Sequence, residues 1–175
     1  PEVYWQVLAD CGAVAVLLPE LAVSHGISAL SRAAPHTGRT DCRWAALLAD
    51  LPEARAKEAS ERLKAPNAFS LLATRISGGR SSIKTALKDA TECMALLKVL
   101  DGLRREEPFE GFCETLVALE QKSVDAHSAV DLLRSARDAA QHVKATDFVD
   151  QGLTGPALGA AIQAKQIERI AKLLD

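Results

Sequence analysis

Large apolar residues recur three and four positions apart along most of the chain, and prolines and glycines cut that rhythm into short pieces. Phe69, Leu72 and Ile76 keep this spacing, as do Phe112, Leu116 and Leu119. Near the end, Leu158, Ile162, Ile167, Ile170 and Leu174 make a longer stripe. Such intervals put side chains on one face of an α-helix, whereas a half-buried strand needs strict alternation. Alternating Val, Ile and Thr are scarce, and aromatics are only 4% of the 175 residues, so strands have little to build on. The expected class is all-α, an array of about eight helices joined by short loops.

The punctuation places the helices. Val3, Val7 and Leu8 mark a first helical face, with Tyr4 beside it, and Gly12 is a natural left-handed stop. A short turn through Val14, Val16, Leu17 and Leu18 ends at Pro19, where Leu18-Pro19-Glu20-Leu21 closes one helix and opens another. Ser24 to Ala34 reads as a weak helix closed by Pro35. Thr40 or Asp41 should cap the helix of Trp44, Leu47 and Leu48, which Pro52 ends. "EARAKEASERLK" should be a charged surface helix, with Leu63 its only large apolar residue. Pro66 starts the helix of Phe69, and "SGGR" (77–80) should break it. Ser81 or Ser82 then caps one helix carrying Ile83, Leu87, Met94, Leu97 and Leu100, stopped by Gly102. Pro108 opens the next, a further helix runs from Val124 to Val143, and Gly152 and Gly155 bracket a turn before Pro156 starts the last.

A chain of this length can bury a real core as one domain, or one domain with a small appendage. Cys11, Cys42, Cys93 and Cys113 include no Cys-x-x-Cys pair, which fits small buried hydrophobes in a reducing cytosol. No apolar run approaches a membrane span and no basic-then-apolar leader is present, so the expectation is a soluble, cytoplasmic protein without a membrane partner. The first residue is Pro1 rather than Met, which suggests a processed chain or a piece of a longer one.

The usual catalytic constellations are missing: a glycine-rich phosphate loop, a Gly-x-Ser-x-Gly elbow, a His-Glu-x-x-His helix and an Asp-x-Asp pair. His25, His36, His127 and His142 stand in separate segments without sequence partners. With a net charge of -2 the chain has no overall pull toward nucleic acid, so RNA binding would need a local patch. The most basic window runs from Arg75 to Arg105, where seven basic residues face three acidic ones. The plain alternative is a solvated helix face.

Three stretches carry a resemblance. "PEVYWQVLADCGAVAVLLPEL" (1–21), "CRWAALLADL" with "ERLKAPNAFSLLA" (42–51, 61–73), and "VDQGLTGPALGAAIQAKQIERIAKL" (149–173) resemble, in order, the C-terminal part of bacterial class II CCA-adding tRNA nucleotidyltransferases that carry a phosphohydrolase-like HD region. The resemblance implies an HD-like helical body over 1–122 and a helical tail over 123–175. It also implies a tRNA partner, held at the acceptor stem and elbow through shape and phosphates. Candidate contacts are Arg75, Arg80, Lys84 and Lys88, Arg104 and Arg105, and the trio Lys165, Arg169 and Lys172, which shares one face of the last helix.

In that family the chemistry lies in an N-terminal head, where an Asp-x-Asp pair holds magnesium; the motif does not occur here, so the chain needs no cofactor and should be inactive by itself. Where phosphohydrolase members have His-Asp-Leu-Gly-Lys, this chain has Ala49-Asp50-Leu51-Pro52-Glu53. Their Gly-Ile-His appears as Gly26-Ile27-Ser28, a later His-containing loop is missing after Pro52, and a downstream Asp-x-x-Gly-Arg becomes Lys122-Ser123-Val124-Asp125. One carboxylate with a methyl and a hydroxyl cannot keep a divalent ion, so no metal is expected at Asp50. The alternative function is a helical structural or interaction module that no longer binds RNA.

Overall fold

A computed structural model describes residues 2–23, 25–121 and 123–174. Ser24, the expected start of the third helix, and Lys122 lie outside the described residues. Among the described residues there are eleven α-helices, three 3-10 turns and no strand. The all-α expectation holds, with more and shorter helices than the apolar rhythm alone suggests.

The first helices are α1 (Glu2–Asp10), α2 (Ala13–Leu17) and α3 (Gly26–Ala33), with Gly12 at φ 74° turning the chain between α1 and α2. Pro19 opens a 3-10 turn, Pro19–Val23, rather than an α-helix. The α1 face is rotated from the expected one: Trp5 and Leu8 pack on the core, while Val3 is 79% and Val7 58% exposed. Cys11 is exposed, unlike the buried Cys42, Cys93 and Cys113.

Three helices form the centre: α4 (Thr40–Leu48), α6 (Asn67–Gly79) and α9 (Glu106–Leu119) pack on one another. Leu47, Leu48, Ile76, Phe109 and Phe112 meet there with at most 1% of each exposed. The cap of α4 is Arg39 rather than Thr40 or Asp41, because extended backbone at Arg39 lets the Asp41 carboxylate accept from the Cys42 amide inside the first turn. α5 (Glu53–Arg62) lies against α6 through Ala56, Ala59 and Ser60, and the Trp44 indole donates to the Ser60 hydroxyl at 3.1 Å.

The break expected at Ser77-Gly78-Gly79-Arg80 comes only at its end: α6 continues through both glycines. Their role is close approach. A Cβ on Gly79 would sit 3.1 Å from the Phe112 ring of α9, and one on Gly78 would sit 2.8 Å from the Glu53 carboxylate of α5. Beyond it, the single helix expected from Ser81 to Leu100 divides into α7 (Ile83–Ala86) and α8 (Ala90–Val99). Asp89 starts α8 by accepting from the Thr91 and Glu92 amides, the bond pattern of a strong N-cap. Asp101, at φ 53°, takes the left-handed position after α8, while Gly102 gives room to Phe109, 2.8 Å from where its Cβ would lie.

α10 (Val124–Gln141), capped by Ser123, and α11 (Gly155–Leu174) pack against each other and against α8. Gly152 and Gly155, at φ 63° and 57°, make the expected turn before α11. Val130, Leu133, Ala140 and Ile170 join the same buried cluster as α4, α6 and α9.

Candidate functional site

The ends of α4, α6 and α9 and the start of α10 converge on a cavity of about 740 Å³, with α7 as its outer wall. Ile83, Leu87, Leu116 and Ala126 give it an apolar floor. The Ser77 hydroxyl donates to the Leu48 carbonyl at 2.9 Å, which ties α6 to the last turn of α4 and brings Arg80 over the Asp50 carboxylate. Arg80 Nη1 donates to Asp50 Oδ1 at 2.9 Å, while Nε, at 3.1 Å, and Nη2 both donate to Glu120 Oε1. One guanidinium thus joins the exits of α4, α6 and α9. Glu120 was not singled out in the sequence, because nothing local marks a carboxylate forty positions from its partner.

Lys84 and Lys88 stand exposed on the cavity rim, facing a wall that includes Asp125. Among the described residues neither lysine has a carboxylate within 4 Å. Asp50 and Asp125 therefore share one cavity, whereas Ser28 is exposed on α3 and accepts a bond from Arg32. Among the described residues no three His, Cys, Asp or Glu side chains are grouped so as to hold a metal ion. Arg80 supplies the positive charge between the Asp50 and Glu120 carboxylates.

A second basic group lies on the other side of α6. Arg75 is half-buried on α6, and Arg105 is exposed as the extended residue before α9. Both line a smaller cleft with Arg39, whose guanidinium pairs with Asp41 at 2.6 Å. Burial pushes the Arg75 pKa down and the Arg105 charge adds to that, with Asp101 opposing it. The structure leaves Arg104 exposed beside Arg105.

The trio on α11 is different. Lys165 and Lys172 both reach Glu168, at 2.8 and 2.9 Å, and their bonds lower the Glu168 pKa to about 2. Arg169 is half-buried between them. The four-and-three spacing is real, and it places a carboxylate as readily as cations. The three groups of candidates thus occupy separate places and form no single continuous patch.

Comparison with known proteins supplies what the side chains leave open. A CCA-adding enzyme of Pseudomonas putida strain W619 is 36% identical over 172 residues, covering 97% of this chain and 46% of the relative. A multifunctional CCA protein of Pseudomonas putida strain KT2440 is 37% identical over 175 residues, with 97% and 47% covered. The chain is a homologue of the CCA-adding enzymes. It spans about half the length of these relatives. A multifunctional CCA protein of Pseudomonas fluorescens strain Pf-5 is 31% identical over an alignment of 214 residues covering 97% of this chain, so this homologue carries residues that the chain lacks. No protein-family model matches the chain, and no solved structure does at a significant level. Among the described residues no helix is long and apolar enough to cross a membrane.

Proposed function

We propose that the chain is the tRNA-holding, non-catalytic half of a CCA-adding enzyme, corresponding to its C-terminal body and tail. The observation that carries this reading is the 97% coverage of the chain by relatives named for CCA addition, of which it spans about 46%. Magnesium-assisted nucleotidyl transfer belongs to the other half in this account, since the chain has no Asp-x-Asp pair to hold the ions. The contribution of this half is to hold the RNA by its backbone, using the exposed cations Lys84, Lys88, Arg104 and Arg105 together with Arg75.

The 740 Å³ cavity is, in this reading, a former HD phosphohydrolase site. Asp50 persists where the family's His-Asp pair stands, and Arg80 bridges it to Glu120. Manganese or nickel added to the intact chain should neither bind stoichiometrically nor support phosphatase activity. A stoichiometric transition metal held by Asp50 would contradict this. Filter binding of tRNA, paired with a nucleotide-incorporation assay in magnesium, tests the main reading. Binding without incorporation is expected, and incorporation by the chain alone would overturn it.

A helical interaction module without RNA affinity is the second reading. It is favoured by a specific observation: Arg80, Lys165 and Lys172, three of the nine candidate cations, are paired with carboxylates. Absence of tRNA binding at low salt would select it.

A further inference from the structure

The cleft between the starts of α6 and α9 has the makings of an oxyanion site that the spacing of basic residues did not reveal as one. Its volume is about 190 Å³. That is the space of roughly six waters, and it falls below the ~300–1,000 Å³ of small-molecule pockets. A single tetrahedral oxyanion fits this size better than a nucleotide. Its polar lining is Arg39, Asp41, Asn67, Arg75, Arg105 and Glu107.

The charges are not equivalent. Arg39 is committed to Asp41 through two bonds, Nη2 to Oδ2 at 2.6 Å and Nε to Oδ1 at 3.1 Å. Arg75 is half-buried, and among the described residues it has neither a hydrogen bond nor a carboxylate within 4 Å. Asp101 favours its charge and Arg105 opposes it. A guanidinium stays charged in proteins, and the repulsion between two of them facing one cleft is relieved by a shared anion. Asn67 opens α6 after Pro66, which supplies no side-chain acceptor, so the first amides of that helix also lack a cap partner. Glu107 is the one lining carboxylate without an ion pair among the described residues, and it limits how much negative charge the cleft can accept.

We propose that Arg75 and Arg105 form a subsite for one phosphate group, and that this group is a backbone phosphate of RNA. The planar guanidinium fork suits two oxygens of a phosphate at once, which an ammonium cannot match. The identity of the phosphate rests on the tRNA-holding reading above, whereas the oxyanion site does not. Glu107 makes the prediction signed: removing its charge should tighten what removing the arginines loosens.

The test uses the intact chain and the variants Arg75→Met with Arg105→Ala, Arg105→Ala alone, and Glu107→Gln. Arg105 is exposed, so its single variant keeps the experiment readable if the double variant folds poorly. The probes are unmodified tRNA in filter binding across a salt series, and inorganic phosphate in amide NMR titration. The double variant should bind tRNA about tenfold more weakly, with a salt slope shallower by about one. Glu107→Gln should bind a few fold more tightly. Inorganic phosphate should shift the amides of Asn67 and Ala68 in the native chain but not in the double variant. If the double variant is folded and keeps native tRNA affinity and slope while Lys84→Ala with Lys88→Ala loses them, the subsite is wrong and the RNA reading stands. If tRNA fails to bind but phosphate shifts vanish in the double variant, the subsite stands for free phosphate and the RNA reading falls. If neither probe binds, both fall.

Discussion

Two basic faces of this molecule look alike in sequence and differ in three dimensions. On α11, Lys165 and Lys172 converge on Glu168 from either side, so two of its three cations are already satisfied within their own helix. Around α6 and the start of α9, Arg75 and Arg105 come from separate elements and meet with no carboxylate within 4 Å of either among the described residues. Helical spacing brings cations to one face, but it brings interleaved acids to the same face. Availability for an external anion is decided by packing between helices, and the α6–α9 face has the packing.

That contrast can be broken most strongly at its foundation. Phe112, wholly buried, sets the distance between α9 and α6. Phe112→Ala should cost about 3–5 kcal/mol in denaturant unfolding and should disturb the α6–α9 face with it. Gly79→Val drives a side chain into the same ring and should cost about 1–3 kcal/mol. On α11 the corresponding change has the opposite sign. Gly159 has nothing within 4 Å of its Cβ position, so Gly159→Ala should stabilise the chain by about 0.5–1 kcal/mol. A loss of thermal stability in Gly159→Ala would mean that α11 is packed more tightly than its exposure indicates.

Charge changes sharpen the contrast at smaller energies. Arg80→Ala removes the bridge between Asp50 and Glu120, groups that are 26–37% exposed, and should cost about 1 kcal/mol by thermal melting. Glu168→Gln frees Lys165 and Lys172 from an exposed carboxylate; it should raise affinity for a polyanion such as heparin a few fold on column retention, with the melting temperature little changed. If retention does not move, pairing is not what keeps α11 silent.

The smallest effect is a pH dependence. Glu168, with its pKa at about 2, is depressed below an ordinary carboxylate; the sign of linkage makes its pairing present at neutral pH and lost only as pH falls toward 2. The buried thiols have the opposite sign. Burial pushes Cys93 up to about 11 and Cys113 up to about 12, so their contribution is complete below pH 9 and declines as pH rises through those values. Melting temperature should therefore fall above pH 9, and less steeply in Cys93→Val.

The helical class and the turn into the last helix are readable because local chemistry fixes them. Gly152 and Gly155 both take positive φ, and Ile170 is the buried point of the last stripe. Other signals were present and misread. Asp89 followed three residues later by Glu92 is a helix-start pattern, yet the continuous apolar rhythm from Ile83 to Leu100 outweighed it. A glycine pair announces a turn and close packing with the same letters, so Gly78 and Gly79 carry no local sign that α6 runs through them. Val3 and Val7 lie outward because Trp5 and Leu8 compete for the core and win it. The bridge from Asp50 through Arg80 to Glu120 and the meeting of Arg75 with Arg105 depend on distant segments, and no spacing rule reaches that far.

Affinity for tRNA measured against salt tests the central claim most directly. The account predicts binding at 50 mM salt with a log–log slope of about -3, since Lys84, Lys88, Arg104 and the Arg75–Arg105 pair would each neutralise one phosphate at roughly 0.7–0.9 per contact. That slope should survive substitution of Lys165, Arg169 and Lys172 by alanine and fall when Arg75, Lys84, Lys88, Arg104 and Arg105 are replaced. No binding at 50 mM salt, or a slope that follows the α11 residues instead, would contradict it.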